Sequence, residues 1–200
     1  MRIEPIERDE VLLQRSARGD EDSFTELYRR HQAALYRFAL RMTGNAWASE
    51  EIVQDVFMTI IRKPQKFDPE RGSFGAFLYG IARNRVMKHA ERTPRELQLH
   101  EDVESGVTAL PKTIDSMTPG YWAEVGERRE LVRNAVLELP VEFREAVVLC
   151  LLEELSYDEA ASVLNCPVGT IRSRLHRGRA LLLAKLEILR ESPKRAGASR

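Results

Sequence analysis

The sequence predicts an all-α protein: two helical bundles joined by a flexible linker, the second bundle containing a helix-turn-helix. Apolar residues recur at three- and four-residue intervals in segment after segment. No stretch alternates apolar and polar residues in the manner of a strand. One long Pro-, Gly- and acid-rich stretch interrupts the helical period in the middle of the chain.

Residues 9–19 are expected to form a short leading helix. Phe24, Leu27, Tyr28, His31, Leu35, Phe38 and Met42 then mark one helical stripe, stopped by Thr43-Gly44-Asn45. A second helix starts near Ala48 with Ile52, Val53, Val56, Phe57, Ile60 and Ile61 on its apolar face, and Pro64 ends it. The run Phe67-Asp68-Pro69-Glu70-Arg71-Gly72 is turn chemistry. Ser73 is placed to cap a third helix carrying Phe74, Phe77, Leu78, Ile81, Ala82 and Val86.

From about Thr93 to Gly126 the period dissolves among prolines, glycines and acids, which reads as a tether between domains. The expected division is therefore residues 1–95, a linker at 96–126, a second domain at 127–190 and a disordered tail at 191–200. Leu131, Ala135, Val136 and Leu139 restart the helical pattern, and a strongly apolar helix is expected from about Glu142 to Glu154. Ser156-Tyr157-Asp158-Glu159 is a capping box opening a short helix through Leu164. After the turn Asn165-Cys166-Pro167, Pro167 suits the first position of a last helix running to about Arg190.

Net charge is formally zero, with 31 Lys/Arg against 31 Asp/Glu, but it is unevenly spread. Residues 1–95 carry 17 basic and 14 acidic side chains, residues 96–126 one and six, residues 127–200 13 and 11. Cys150 and Cys166 are too few for a disulfide scaffold, and Cys150, in an apolar run, is expected to be a buried thiol. There is no signal peptide and no run long enough to insert in a membrane, so a reducing cytoplasm is the expected home. No P-loop, Gly-rich fingerprint, nucleophile elbow or paired-His motif occurs, so neither an enzyme, a small-molecule substrate nor a cofactor is expected. His31 lies on an apolar stripe and reads as a core or boundary residue.

On the last helix, Val168, Ile171 and Leu175 share a face expected to pack on Ala160, Ala161, Val163 and Leu164. The opposite face presents Thr170, Ser173, His176 and Arg177, flanked by Arg172, Arg174 and Arg179. From Thr170 to Lys185 there are five Lys/Arg and no acid. Arg reads guanine bidentately, Ser reads several base edges, and flanking Arg residues hold phosphates. The plainer alternative is a solvated Arg-rich helix whose late charges favour its own dipole; cap, turn, apolar triplet and basic face together favour DNA reading.

In the N-terminal block, Phe74–His89 interleaves aromatic and basic residues after a polar loop at 65–73. Aromatics stack on unpaired bases and cations hold a single-stranded backbone. Phe77, Tyr79, Arg83, Asn84 and Lys88 are the candidates. Phe74, Phe77, Leu78 and Ile81 are also at core spacing, and Arg85 lies near the apolar side, where pairing with a neighbouring acid is expected. On the second helix, Glu50, Glu51, Gln54, Asp55 and Met58 avoid the apolar stripe, either as a partner surface or as a solvated acidic face.

Three segments of the C-terminal half, Glu138-Leu-Pro140 with Phe143-Arg-Glu-Ala-Val-Val148, Leu155–Ala161 and Pro167–Arg179, resemble extracytoplasmic-function sigma factors. So do Ala48 with Glu50–Phe57, and Phe67 with Gly72–Phe74, Phe77–Tyr79 and Ile81–Asn84. The resemblance implies that the C-terminal domain reads a promoter's −35 element. It implies that Glu51, Gln54, Asp55 and Met58 dock on the largest subunit of bacterial RNA polymerase core. It further implies that the Phe77–Lys88 face recognises and melts the −10 region of promoter DNA, and that an anti-sigma factor is a partner. Phe77 departs from the Trp of many relatives, and Gly80 from their basic residue. A helix-turn-helix regulator with an all-helical N-terminal sensor domain would share the C-terminal half, but would need neither the aromatic-basic helix nor the Gln54–Phe57 segment.

Overall fold

A computed structural model describes residues 7–96 and 119–191. The helices are α1 (Asp9–Ser16), α2 (Glu21–Thr43), α3 (Ala46–Arg62), α4 (Phe74–Glu96), α5 (Pro119–Leu137), α6 (Val141–Val147), α7 (Tyr157–Leu164) and α8 (Val168–Glu191). Among the described residues there is no strand.

Local chemistry sets the boundaries. Asp20 caps α2 by accepting from the Ser23 N–H at 3.2 Å, and Asn45 caps α3 by accepting from the Ala48 N–H at 3.0 Å. Between them Gly44 takes a left-handed turn at φ 70° and its N–H returns to Leu40 O. Pro64 ends α3 as expected and opens a 3₁₀ turn, Pro64–Lys66; a second, Pro69–Arg71, is capped by Asp68. Ser73 caps α4 by accepting from the Ala76 N–H at 3.2 Å.

The structure corrects the edges of the expected linker. Helix α4 runs to Glu96 and α5 begins at Pro119, because a proline at a helix start forfeits no needed N–H. The rest of that stretch, 97–118, and the tail from 192 lie outside the described residues. The apolar helix expected at 142–154 is also different: α6 widens into a π-helical segment, Val148–Leu152, and ends where Glu154 takes φ 58°. The capping box at Ser156 and Glu159 forms with both of its hydrogen bonds. Pro167 stands one residue before α8, with its carbonyl accepting from Thr170 and Ile171.

In the N-terminal half α2 packs on α1, α3 and α4. Its core is Leu27, Leu35, Phe38, Ile52, Val56, Ile60, Phe74, Leu78, Ala82 and Val86, all on the expected stripes. Ile61 is not: it is 47% exposed, on the outer side of α3. In the C-terminal half Ile171 joins Ala160, Ala161, Val163 and Leu164, but Leu175 packs with Leu139, Ala146 and Val147. One turn further along α8, Leu175 has passed α7 and crossed α6.

That crossing is close at Gly178. A Cβ there would lie 2.7 Å from Val147 Cγ2 and 3.3 Å from Phe143 O. Gly178→Ala is therefore expected to cost about 1–3 kcal/mol by overpacking, read as a lowered urea midpoint at unchanged slope.

The two halves share one apolar cluster. It runs from Leu12 and Phe38 through Ala82 to Val136, Leu149 and Ile171. Arg144 fastens the seam: its guanidinium donates to Met42 O at 2.8 Å and to Leu139 O at 3.0 Å, and also reaches Leu137 O. Burial lowers its pKa, and carbonyl dipoles at two helix ends take the place of a carboxylate.

Candidate nucleic-acid interface

Three surfaces carry the candidate residues. The first is α8. Capping of α7 by Ser156 and the left-handed turn at Asn165, φ 50°, set the angle between the two helices. Burying Ile171 and Leu175 fixes the rotation of α8 about its axis. That rotation leaves Arg172, Ser173, His176, Arg177 and Arg179 exposed, with Thr170 and Arg174 half-buried. The Ser173 hydroxyl donates to Thr170 O at 2.9 Å, which leaves its oxygen free mainly as an acceptor. No ion pair is formed by Arg172, Arg174, Arg177 or Arg179 among the described residues. Lys185, further along, is held by Glu138 at 2.6 Å. This is a cationic ridge with its charges unspent.

A second surface is the outer side of α3. Glu51, Gln54 and Met58 are exposed, and Met58 is an apolar residue in a polar strip. Asp55 is half-buried and pairs with Arg85 at 3.3 Å, while Arg85 also donates to the Thr59 hydroxyl at 3.2 Å. The expectation that Arg85 pairs with a neighbouring acid is met.

The third is a groove of about 780 Å³ between the 65–73 loop and α4. Phe67, Phe74 and Phe77 form an aromatic group with ring centres 5.3–6.3 Å apart, Phe74 innermost and Phe77 half-buried. Asn84 and Lys88 are exposed on its rim. Lys66 and Arg71 line it too. Sequence reading named their loop but not these two; a basic residue on each side of an aromatic, at 66, 67 and 71, was the available signal.

Two candidates are not presented as expected. Tyr79 is 8% exposed, packed edge-on against Phe38, and its hydroxyl donates to Glu153 at 3.0 Å. Burial first, then the Glu153 carboxylate, push the phenol pKa well up. Arg83 is not free either, since its Nε donates to Glu145 at 2.5 Å. Both acids belong to the C-terminal half. The missed signal is Glu145 standing inside the apolar run Phe143–Leu152: a charge in a buried stripe needs a partner.

The chain's comparisons with known proteins agree with this layout. A family model described as Sigma-70 region 2 matches residues 27–96, and one described as Sigma-70, region 4 matches residues 129–182. The chain is 30% identical over 175 residues to the ECF RNA polymerase sigma factor SigW of Bacillus subtilis, covering 86% of this chain and 93% of that one. The chain belongs to the ECF sigma factors. It is also 32% identical over 193 residues to the RNA polymerase sigma-H factor of Pseudomonas aeruginosa, covering 93% and 98% of the two chains.

Two solved structures are similar to this sigma factor as a whole. The sigma factor RpoE of Bartonella quintana, in complex with the anti-sigma factor NepR, matches with TM-score 0.65 at 26% identity, over 82% of this chain and 97% of that one. CnrH, in complex with the cytosolic domain of CnrY, matches with TM-score 0.65 at 27% identity, over 92% and 99%. The region 2 match ends where α4 ends, so it contains α3 and the loop and helix α4 that line most of the groove. The region 4 match contains α7 and α8 as far as Leu182.

Proposed function

We propose that this sigma factor joins bacterial core RNA polymerase through the outer side of α3, around Glu51, Gln54, Asp55 and Met58. In this reading the 65–73 loop and α4 capture the −10 strand, with Phe77 and Lys66 among the residues facing it. Asn84 and Lys88 hold the strand's backbone from the rim. Helix α8 reads the −35 duplex with Arg174 and Arg177, while Arg172 and Arg179 hold phosphates. Residues 1–95 thus dock and melt, and residues 127–190 recognise. The chain supplies specificity and is not an enzyme; bond formation belongs to the core polymerase. Its place of action is the cytoplasm, where that enzyme and the promoter are. Among the described residues no helix is long and apolar enough to cross a membrane.

The observation that carries this reading is the co-occurrence, in one chain, of the aromatic-basic groove and the free cationic ridge of α8. A repressor needs only the second. Neither surface needs high affinity alone, because attachment to polymerase raises the effective concentration of both. The solved complex of RpoE with the anti-sigma factor NepR supports an anti-sigma factor as the controlling partner.

Gel filtration with bacterial core polymerase tests the first step, and run-off transcription from a promoter with both elements tests the second. A stable complex and −35-dependent transcripts are expected. No complex, or equal transcription from intact and −35-scrambled promoters, contradicts the reading.

A further inference from the structure

A second cavity, of about 330 Å³, lies behind the 65–73 loop, between it and α1. Packing on α2 buries Leu12 and Leu13 of α1 and so fixes which side of that helix meets the loop. That side carries Glu10, Leu13, Gln14 and, in the turn after the helix, Arg18, at the three- and four-residue spacing of one helical face. The loop contributes Gln65 and Phe67. Pro64 and Pro69 open a 3₁₀ turn on each side of Phe67 and fix the backbone around it. Phe67 also lines the −10 groove, so one ring borders both cavities. The polar groups here are unspent. Among the described residues, the side chains of Glu10, Gln14, Arg18 and Gln65 form no hydrogen bond or ion pair, whereas the neighbouring Arg15 is held by Glu7 and Asp20. Lys66 and Arg71 of the first groove form no ion pair either.

We propose that this second cavity takes an unpaired base of the same DNA strand, beside the −10 element: Phe67 stacks on it, the Gln14 amide and the Glu10 carboxylate read its edge, and Arg18 holds an adjoining phosphate. The inference rests on the −10 assignment above. Charge selects the occupant, since free cations stand at both cavities and suit a polyanion passing from one to the other. An aromatic ring bordering two cavities suits a strand with more than one base out of its stack. The edge-reading groups then select the base. A Gln amide reads adenine bidentately and a carboxylate accepts from an exocyclic amine, so an amine-bearing base fits, adenine foremost. Thymine would set its O4 acceptor against the Glu10 carboxylate. Helix α1 precedes the segment, 27–96, that the region 2 model matches, so this preference is set by residues outside that segment.

The test uses holoenzyme, the full chain with core polymerase, mixed with single-stranded DNA oligonucleotides of random sequence; the bound fraction is sequenced. Wild type is expected to enrich one −10 element and, at one fixed position beside it, adenine by about fivefold or more. Gln14→Ala is expected to erase the flanking preference while the element itself stays enriched. Gln14 is exposed, so its truncation opens no cavity, and a merely structural defect would weaken every position together. Arg18→Ala is expected to weaken binding equally on all sequences and to lower the salt slope by about one charge. An enriched element with flat flanks, or a flanking preference as strong in Gln14→Ala as in wild type, would overturn the second base site and leave the −10 assignment standing. No enriched element at all with wild type would overturn both.

Discussion

Arg177→Ala is expected to weaken −35 recognition by about 1–3 kcal/mol, roughly fivefold to 150-fold in promoter binding by the holoenzyme. The residue is exposed, forms no ion pair, and lies two residues beyond Leu175, whose burial aims that stretch of the helix outward. Truncating it removes a cationic donor without opening a cavity, so the melting temperature should not move. A double-mutant cycle with the DNA separates base reading from phosphate attraction. If Arg177 reads a base, wild type and variant bind equally well to a promoter altered at that base pair. If it only holds phosphate, the loss is the same on every sequence, and the salt slope falls by about one charge. Arg174→Ala should behave similarly, with a smaller margin against destabilisation because Arg174 is half-buried.

Met58→Ala is expected to cost about 2 kcal/mol or more in affinity for core polymerase, about thirtyfold, by analogy with apolar anchors ringed by polar residues at other interfaces. Met58 is 43% exposed between Gln54 and Ile61 on the outer side of α3. Its removal leaves the N-terminal core, built on Val56 and Ile60, untouched. Asp55→Ala should cost less, because Arg85 already satisfies that carboxylate in the free chain. Competition against a labelled wild-type chain for core polymerase reads both variants. An unchanged inhibition midpoint for Met58→Ala would remove α3 from the docking surface.

Much of this arrangement was legible because local rules fix it. Caps at Asp20, Asn45, Ser73 and Ser156 and the left-handed turns at Gly44 and Asn165 delimit four helices by chemistry confined to a few neighbouring residues. The rotation of α8 follows from the spacing of Ile171 and Leu175, so its cationic face was readable from sequence. What could not be read was set by contacts between distant residues. The partner of Leu175 depends on how far α8 travels past α7 before meeting Ala146. The π-helical turn at Val148–Leu152 has no marker in a uniformly apolar run. Glu145 and Glu153 lie 62 and 74 residues from Arg83 and Tyr79, and nothing local indicates that the halves meet there. Aromatic spacing on α4 suited core and base-stacking equally, and only the packing separates Phe74, inside, from Phe77, half out.

The paired roles of the two halves are tested most directly by mixing the purified chain with core polymerase and a library of randomised promoters, then sequencing the 5′ ends of the transcripts. Start sites that depend on the chain, each preceded by one shared pair of elements at fixed spacing, are the predicted result, with the upstream element losing its preference in Arg177→Ala. Transcripts identical with and without the chain would contradict it and leave α8 as the reading helix of an ordinary DNA-binding regulator.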